Sequence, residues 1–137
     1  MPTVTYMDEA VRQVLTADAG IASLAGMRIF STQAPQGTDL PCIVYVQDSN
    51  DRSDFMHMRG MLGLTRATYT IACLGTSLVD VRNLSRTVRT ALQYKQSDAI
   101  RLAVVKSEDD TTEPNGNGEQ LPIYRTDLSV EITFLEP

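Results

Sequence analysis

The stretch LTRATYTIACLGTSLVDVRNLSRTVRTALQY, residues 64–94, changes its hydrophobic period part-way along. From Leu64 to Leu74, Ala67, Tyr69, Ile71 and Cys73 alternate with Arg66, Thr68, Thr70 and Ala72. Successive side chains on a strand point to opposite faces, so this pattern predicts a strand with one apolar and one mainly polar face. After Gly75 the period lengthens. Val81, Leu84, Val88, Ala91 and Leu92 recur at helical spacing, and Thr76 or Ser77 stands where a cap belongs, so a helix to about Tyr94 is predicted.

On the N-terminal side, Cys42-Ile43-Val44-Tyr45-Val46 is apolar and mostly β-branched, as in a strand with both faces at least partly covered. Its simplest partner is the Leu64–Leu74 strand, antiparallel. Further upstream, Gln33 to Pro41 holds two prolines and Gly37 and reads as a loop, and Met27 to Phe30 reads as a short strand. Asp18 to Ala25 predicts a short helical turn that Gly26 stops. From Tyr6 to Thr16, the spacing of Met7, Ala10, Val11, Val14 and Leu15 predicts a first amphipathic helix. Asp8 and Glu9 lie at its N-terminal end and Thr3 or Thr5 serves as its cap.

On the C-terminal side, Ile100 to Val105 predicts a strand. Tyr124, Leu128, Val130, Ile132 and Phe134 share one parity of another, interrupted only by Thr126. Between them, Ser107 to Gln120 is acidic and rich in turn formers, which predicts a mobile hairpin tip. No repeat or linker divides the 137 residues, so one domain spanning 1–137 is expected.

Twelve Lys and Arg stand against 17 Asp and Glu, a net charge of −5, which argues against a generally basic nucleic-acid binder. Five of those acids fall between Glu108 and Glu119, where there is no base, so the remainder balances at 12 against 12. No run approaches the roughly 18 to 20 apolar residues of a membrane span, and Met1 to Leu15 lacks the pattern of a signal peptide. A soluble cytosolic chain with two reduced, buried thiols, Cys42 and Cys73, is the resulting expectation.

Signatures of catalysis are missing. His57 is the single histidine, read as a polar loop residue, so mechanisms that need two imidazoles are excluded. There is no nucleophile elbow, phosphate-binding loop or dinucleotide fingerprint. Asp109, Asp110, Glu113 and Asn115 are hard oxygen donors, but their spacing fails the calcium-loop pattern and a solvated loop is the better reading. No cofactor and no metal is expected.

Two sets of residues are instead candidates for contact with partners. Asn50 to Leu62 carries Phe55, Met56, Met58, Met61 and Leu62 among polar residues, with Arg52 and Arg59 beside them. Adaptable methionines in a surface connection suit an intermolecular contact; the alternative is that they fold back onto the core. Arg82, Arg86 and Arg89 form a helical stripe set apart from the apolar face. That stripe reads either as a solvated face or as a contact to an acidic surface. The acids Glu108, Asp109, Asp110 and Glu113 of a neighbouring subunit are its candidate partners.

The order of these features resembles the tail-completion, or tail-terminator, proteins of long-tailed bacteriophages and related prophages. The resemblance is carried by Leu15-Thr16-Ala17-Asp18-Ala19-Gly20-Ile21 through Gly26-Met27-Arg28-Ile29-Phe30, then by Ala34-Pro35-Gln36-Gly37-Thr38-Asp39-Leu40-Pro41-Cys42-Ile43-Val44-Tyr45. It continues through Gly63-Leu64-Thr65-Arg66-Ala67-Thr68-Tyr69-Thr70-Ile71-Ala72-Cys73 and the helix end Val88-Arg89-Thr90-Ala91-Leu92. Two departures stand out: Leu74 follows Cys73 where an aromatic is common, and Gln93-Tyr94-Lys95 replaces a helix-ending glycine. The resemblance implies an α+β fold, a mainly antiparallel sheet of four to five strands with helices packed on one face. It further implies a hexameric ring in the virion, at the head-tail joint, that caps the tail tube, stops its polymerisation and meets the head-neck connector. Implied partners are therefore other copies of the chain, the tube protein and the connector protein. DNA passes through such a ring without being read, and no membrane or enzymatic activity is involved. Similar-looking alternatives are a head-tail connector or neck-completion protein and, more distantly, a small ligand-binding module or enzyme.

Overall fold

A computed structural model describes residues 7–33, 39–52, 64–96, 100–113 and 123–135. Its elements are α1 (Met7–Ala17), α2 (Ala19–Ala25), β1 (Ile29–Ser31), β2 (Cys42–Arg52), β3 (Leu64–Gly75), α3 (Leu78–Leu92), β4 (Ile100–Glu113) and β5 (Ile123–Leu135). The strands form one sheet in the order β1-β2-β3-β5-β4. Only β1 and β2 run parallel; the other neighbours are antiparallel, in keeping with the α+β class.

The period change at residue 75 is where this architecture originates. Strands β3 and β4 both lie antiparallel to β5 and so run the same way, which makes α3 a crossover that spans β5. Its apolar stripe, Val81, Leu84, Val88 and Leu92, is fully buried, facing Tyr69, Ile71 and Cys73 of β3 and Leu128, Val130 and Ile132 of β5. Burying such side chains stabilises by about 1.5–3 kcal/mol each. Gly75 permits the close approach of strand and helix, since a Cβ there would lie 2.8 Å from Val81 Cγ2.

The two shorter helices complete the same layer. Helix α1 buries Ala10, Val11 and Leu15, and its Arg12 donates from Nη1 to the Ile29 carbonyl at 2.6 Å, tying it to β1. Asp18 caps α2 by accepting from the Ile21 amide at 3.0 Å, and Gly26 ends that helix at a φ of 59°, a conformation glycine adopts without steric cost. Both assignments follow the sequence reading, although Thr3 and Thr5, the expected caps of α1, lie outside the described residues.

Four expectations need correction. The strand beginning at Ile100 does not stop at Val105; β4 continues to Glu113, with Glu108 opposite Leu128 and Glu113 opposite Ile123. The first half of the expected acidic tip, Ser107 to Glu113, is therefore strand: its backbone pairs with β5 on one side only, so polar side chains cost little there. Likewise β2 extends to Arg52, so Asn50, Asp51 and Arg52 belong to a strand instead of a loop, beyond a register shift between Gln47 and Ser49. Strand β1 begins at Ile29, leaving Met27 73% exposed. Ser77 occupies the N-cap of α3, but its side chain makes no capping bond; the helix is entered through the Val81 amide bonding the Ser77 carbonyl at 3.1 Å.

Candidate functional site

The basic stripe of α3 and the acids of β4 meet within one chain. Residues 82, 89 and 93 recur along one side of a helix, at about 100° per residue, and all three reach β4. Arg82 Nη2 lies 3.0 Å from Asp110 Oδ2, and Arg89 Nη1 lies 2.9 Å from Glu108 Oε1. One turn further on, Gln93 Oε1 accepts the Val105 amide at 2.7 Å. The Tyr94 amide then bonds the Ala103 carbonyl, and the Ala103 amide bonds the Lys95 carbonyl, so the end of α3 covers part of the β4 edge.

Asp110 has a second partner: its Oδ1 accepts from the Thr126 hydroxyl at 2.7 Å. That bond accounts for a polar residue at a buried position on the otherwise apolar side of β5, where Thr126 is 1% exposed. The ion pairs themselves are about half in water, with side-chain exposures of 58% and 45% for Arg82 and Asp110, so each contributes about 0–1 kcal/mol and is screened by salt. Arg86 is exposed and makes no ion pair with a described residue. Asp109, next to Asp110 on β4, points to the opposite face, directly across from Asp127.

Among the described residues, that opposite face of the sheet carries no helix. On it, Val44, Val46, Thr70, Ala72, Leu74 and Arg125, with Thr32 and Gln33 at the rim, line a shallow cavity of about 230 Å³. Val44, Val46 and Leu74 are half-buried. The apolar strip gives way to charge across β5, where Arg125 Nε pairs with Asp127 Oδ1 at 2.6 Å and Arg66 Nε with Glu131 Oε1 at 3.6 Å. Towards β2, the Thr70 hydroxyl bonds the Asp48 carboxylate.

Phe55, Met56, His57, Met58, Arg59, Met61 and Leu62 lie outside the described residues, as do the side chains of Arg52 and Glu113. The structure does add exposed apolar residues that the sequence reading passed over: Val79 (66%), Tyr94 (67%) and Leu78 (41%). Val79 falls off the stripe begun by Val81, a signal that helical spacing alone contained. Both cysteines are free and buried. Burial pushes the Cys73 thiol far above its ordinary range, helped by the nearby Asp127 carboxylate, and burial likewise raises Cys42 against the opposing effect of Arg28. Among the described residues no cluster of three His, Cys, Asp or Glu side chains is placed to hold a metal, and no helix is long and apolar enough to cross a membrane.

The model of a family described as tail completion protein gp17 matches residues 9–133, nearly the whole chain. The chain belongs to that family. It is thus a structural protein of the phage-type virion tail. A chain of a solved structure described as the virion of a native gene transfer agent particle shares its fold, with a TM-score of 0.63, 16% identity and 91% of each chain covered. No curated protein matches the sequence.

Proposed function

We propose that this tail completion protein caps the end of the tail tube as a ring, stops tube polymerisation and forms the joint to the head-neck connector. The observation that carries this reading is the family match over residues 9–133. Its fold supports it, being shared with a chain of a particle that is itself a virion. The work is binding and involves no bond-making. Hexameric copy number, contact with the tube and connector proteins, and passage of DNA through the ring without sequence readout complete the proposal.

In that ring, Arg52, Phe55, Met56, Met58, Arg59, Met61 and Leu62 form a contact to a neighbouring subunit or to the tube. Arg86 and Asp109, exposed and without an ion pair to a described residue, engage partners across a boundary together with Glu113, whereas Arg82 and Arg89 already hold Asp110 and Glu108 of their own chain. Imaging of particles at the head-tail joint tests the proposal. A ring of this chain between tube and connector is expected, and removal of the gene is expected to yield tubes of uncontrolled length that lack heads. Density for the chain on the head side of the connector assigns it to the neck instead.

A further inference from the structure

The chain's own groups occupy outward backbone on both outer strands of the sheet. On β1, the Arg28 carbonyl and the Thr32 amide bond β2, so the alternate residues Ile29 and Ser31 turn their backbone outward. There the Ile29 amide donates to the Met27 carbonyl at 2.9 Å, the Ile29 carbonyl accepts from Arg12 at 2.6 Å, and the Ser31 carbonyl accepts the Gln33 amide at 2.7 Å. On β4, Ala103 and Val105 turn outward and meet the end of α3. The Tyr94 amide donates to the Ala103 carbonyl at 2.7 Å, the Ala103 amide to the Lys95 carbonyl at 3.1 Å, and the Val105 amide to Gln93 Oε1 at 2.7 Å. Beyond these covers the edges carry register shifts and acids, between Gln47 and Ser49 with Asp48 on β2, and between Val105 and Ser107 with Glu108 and Asp110 on β4. Bulges and charges on an outer strand oppose pairing with another chain.

Tyr94 adopts a costly conformation to make its part of that cover. Its φ is 59°, a region unfavourable for any residue but glycine, and its side chain is exposed, so burial does not offset the cost. The conformation aims the backbone of Tyr94 and Lys95 at Ala103. We propose that residues 93–95 are an edge guard, a strap that occupies the outward backbone of Ala103 and Val105 and so prevents two copies from joining β4 to β4. The excluded partner is a second copy, because the uncovered edge would be the same strand in every molecule, and two such strands pair antiparallel about a two-fold axis. Strand β1 is no rival partner, since its outward groups are taken within the chain. A two-fold contact engages the same patch on both molecules and adds no third copy, so it withdraws chains from head-to-tail assembly. The guard is a property of the free chain and does not depend on the ring reading.

Sedimentation of the purified chain over a range of concentrations tests this. Tyr94→Pro loses the amide that holds Ala103 and cannot take a positive φ, so it releases the strap. It is expected to melt cooperatively and to show a concentration-dependent dimer that the parent lacks. Tyr94→Gly keeps the amide, relaxes the backbone and is expected to match the parent. Adding Val105→Pro to Tyr94→Pro removes an outward amide while leaving the bonds to β5, and is expected to abolish the dimer. A folded Tyr94→Pro chain without the dimer overturns the guard, as does a dimer that persists with Val105→Pro or forms equally in Tyr94→Gly. If Tyr94→Pro does not fold, Gln93→Ala, which frees the Val105 amide, takes its place and is read in the same way.

Discussion

Asp110 has two unlike neighbours, an arginine half in water and a buried hydroxyl, and removing it affects them unequally. Losing an exposed pair costs about 0–1 kcal/mol, whereas leaving a buried hydroxyl without its partner costs about 1–3 kcal/mol. Asp110→Ala is therefore expected to destabilise more than Arg82→Ala, and Thr126→Val should recover most of the difference. Urea unfolding of the three single variants and the Asp110→Ala, Thr126→Val double variant checks this; equal losses from Asp110→Ala and Arg82→Ala would refute it. Cys73 gives a second residue-scale prediction. Its thiol is raised from an ordinary value of 9.0, so above about pH 9 the unfolded chain loses that proton while the folded chain keeps it. Stability should fall as pH rises beyond that point, and Cys73→Ala should weaken the fall, measured as the difference in alkaline melting between the two proteins. The buried state of both cysteines was legible from their apolar neighbours. The bond from Thr126 to Asp110 was not, because it joins residues whose register only the folded sheet defines.

At the scale of elements, the strongest prediction concerns the junction of β3 with α3. A methyl group at Gly75 would sit 2.8 Å from Val81 Cγ2, and both groups belong to elements held by the core. Gly75→Ala is expected to cost about 1–3 kcal/mol through overpacking, and Val81→Ala should offset part of that loss. A Gly75→Ala variant melting like the parent would show that the helix shifts freely. The ion pairs from α3 to β4 act at this scale too. Arg82→Ala and Arg89→Ala should each lower the melting temperature modestly at low salt, and the loss should shrink at about 1 M salt, where the screening length is about 3 Å. Elements with one apolar parity or one apolar stripe, such as β3, α3 and β5, were readable because burial imposes their period. The second half of β4 was not readable. Glu108 to Glu113 carry no apolar alternation, and their strand geometry comes from pairing with β5 on one side and from the arginines of α3 above. The same holds for the far end of β2, whose partners lie on β3.

At the scale of the whole molecule, the described helices all pack on one face of the sheet, and the other face carries the shallow cavity lined by Val44, Val46, Ala72 and Leu74. The strip on the other face was hidden in the sequence, because Val44, Val46, Ala72 and Leu74 come together only when β2 and β3 pair. The sheet order carries a further consequence. Strand β5 follows all its partners in the chain yet lies between β3 and β4, which have no other bond to each other in the sheet. Without β5, the two would face a gap beneath α3. A chain ending at Glu113 should therefore show no cooperative melting, a loss visible by circular dichroism against the full chain. During synthesis, the sheet can close only after β5 has left the ribosome, so a nascent copy lacks its finished core until the last strand is in place. Under the proposed ring reading, growth would then draw on completed chains alone, with strand order acting as a clock on assembly.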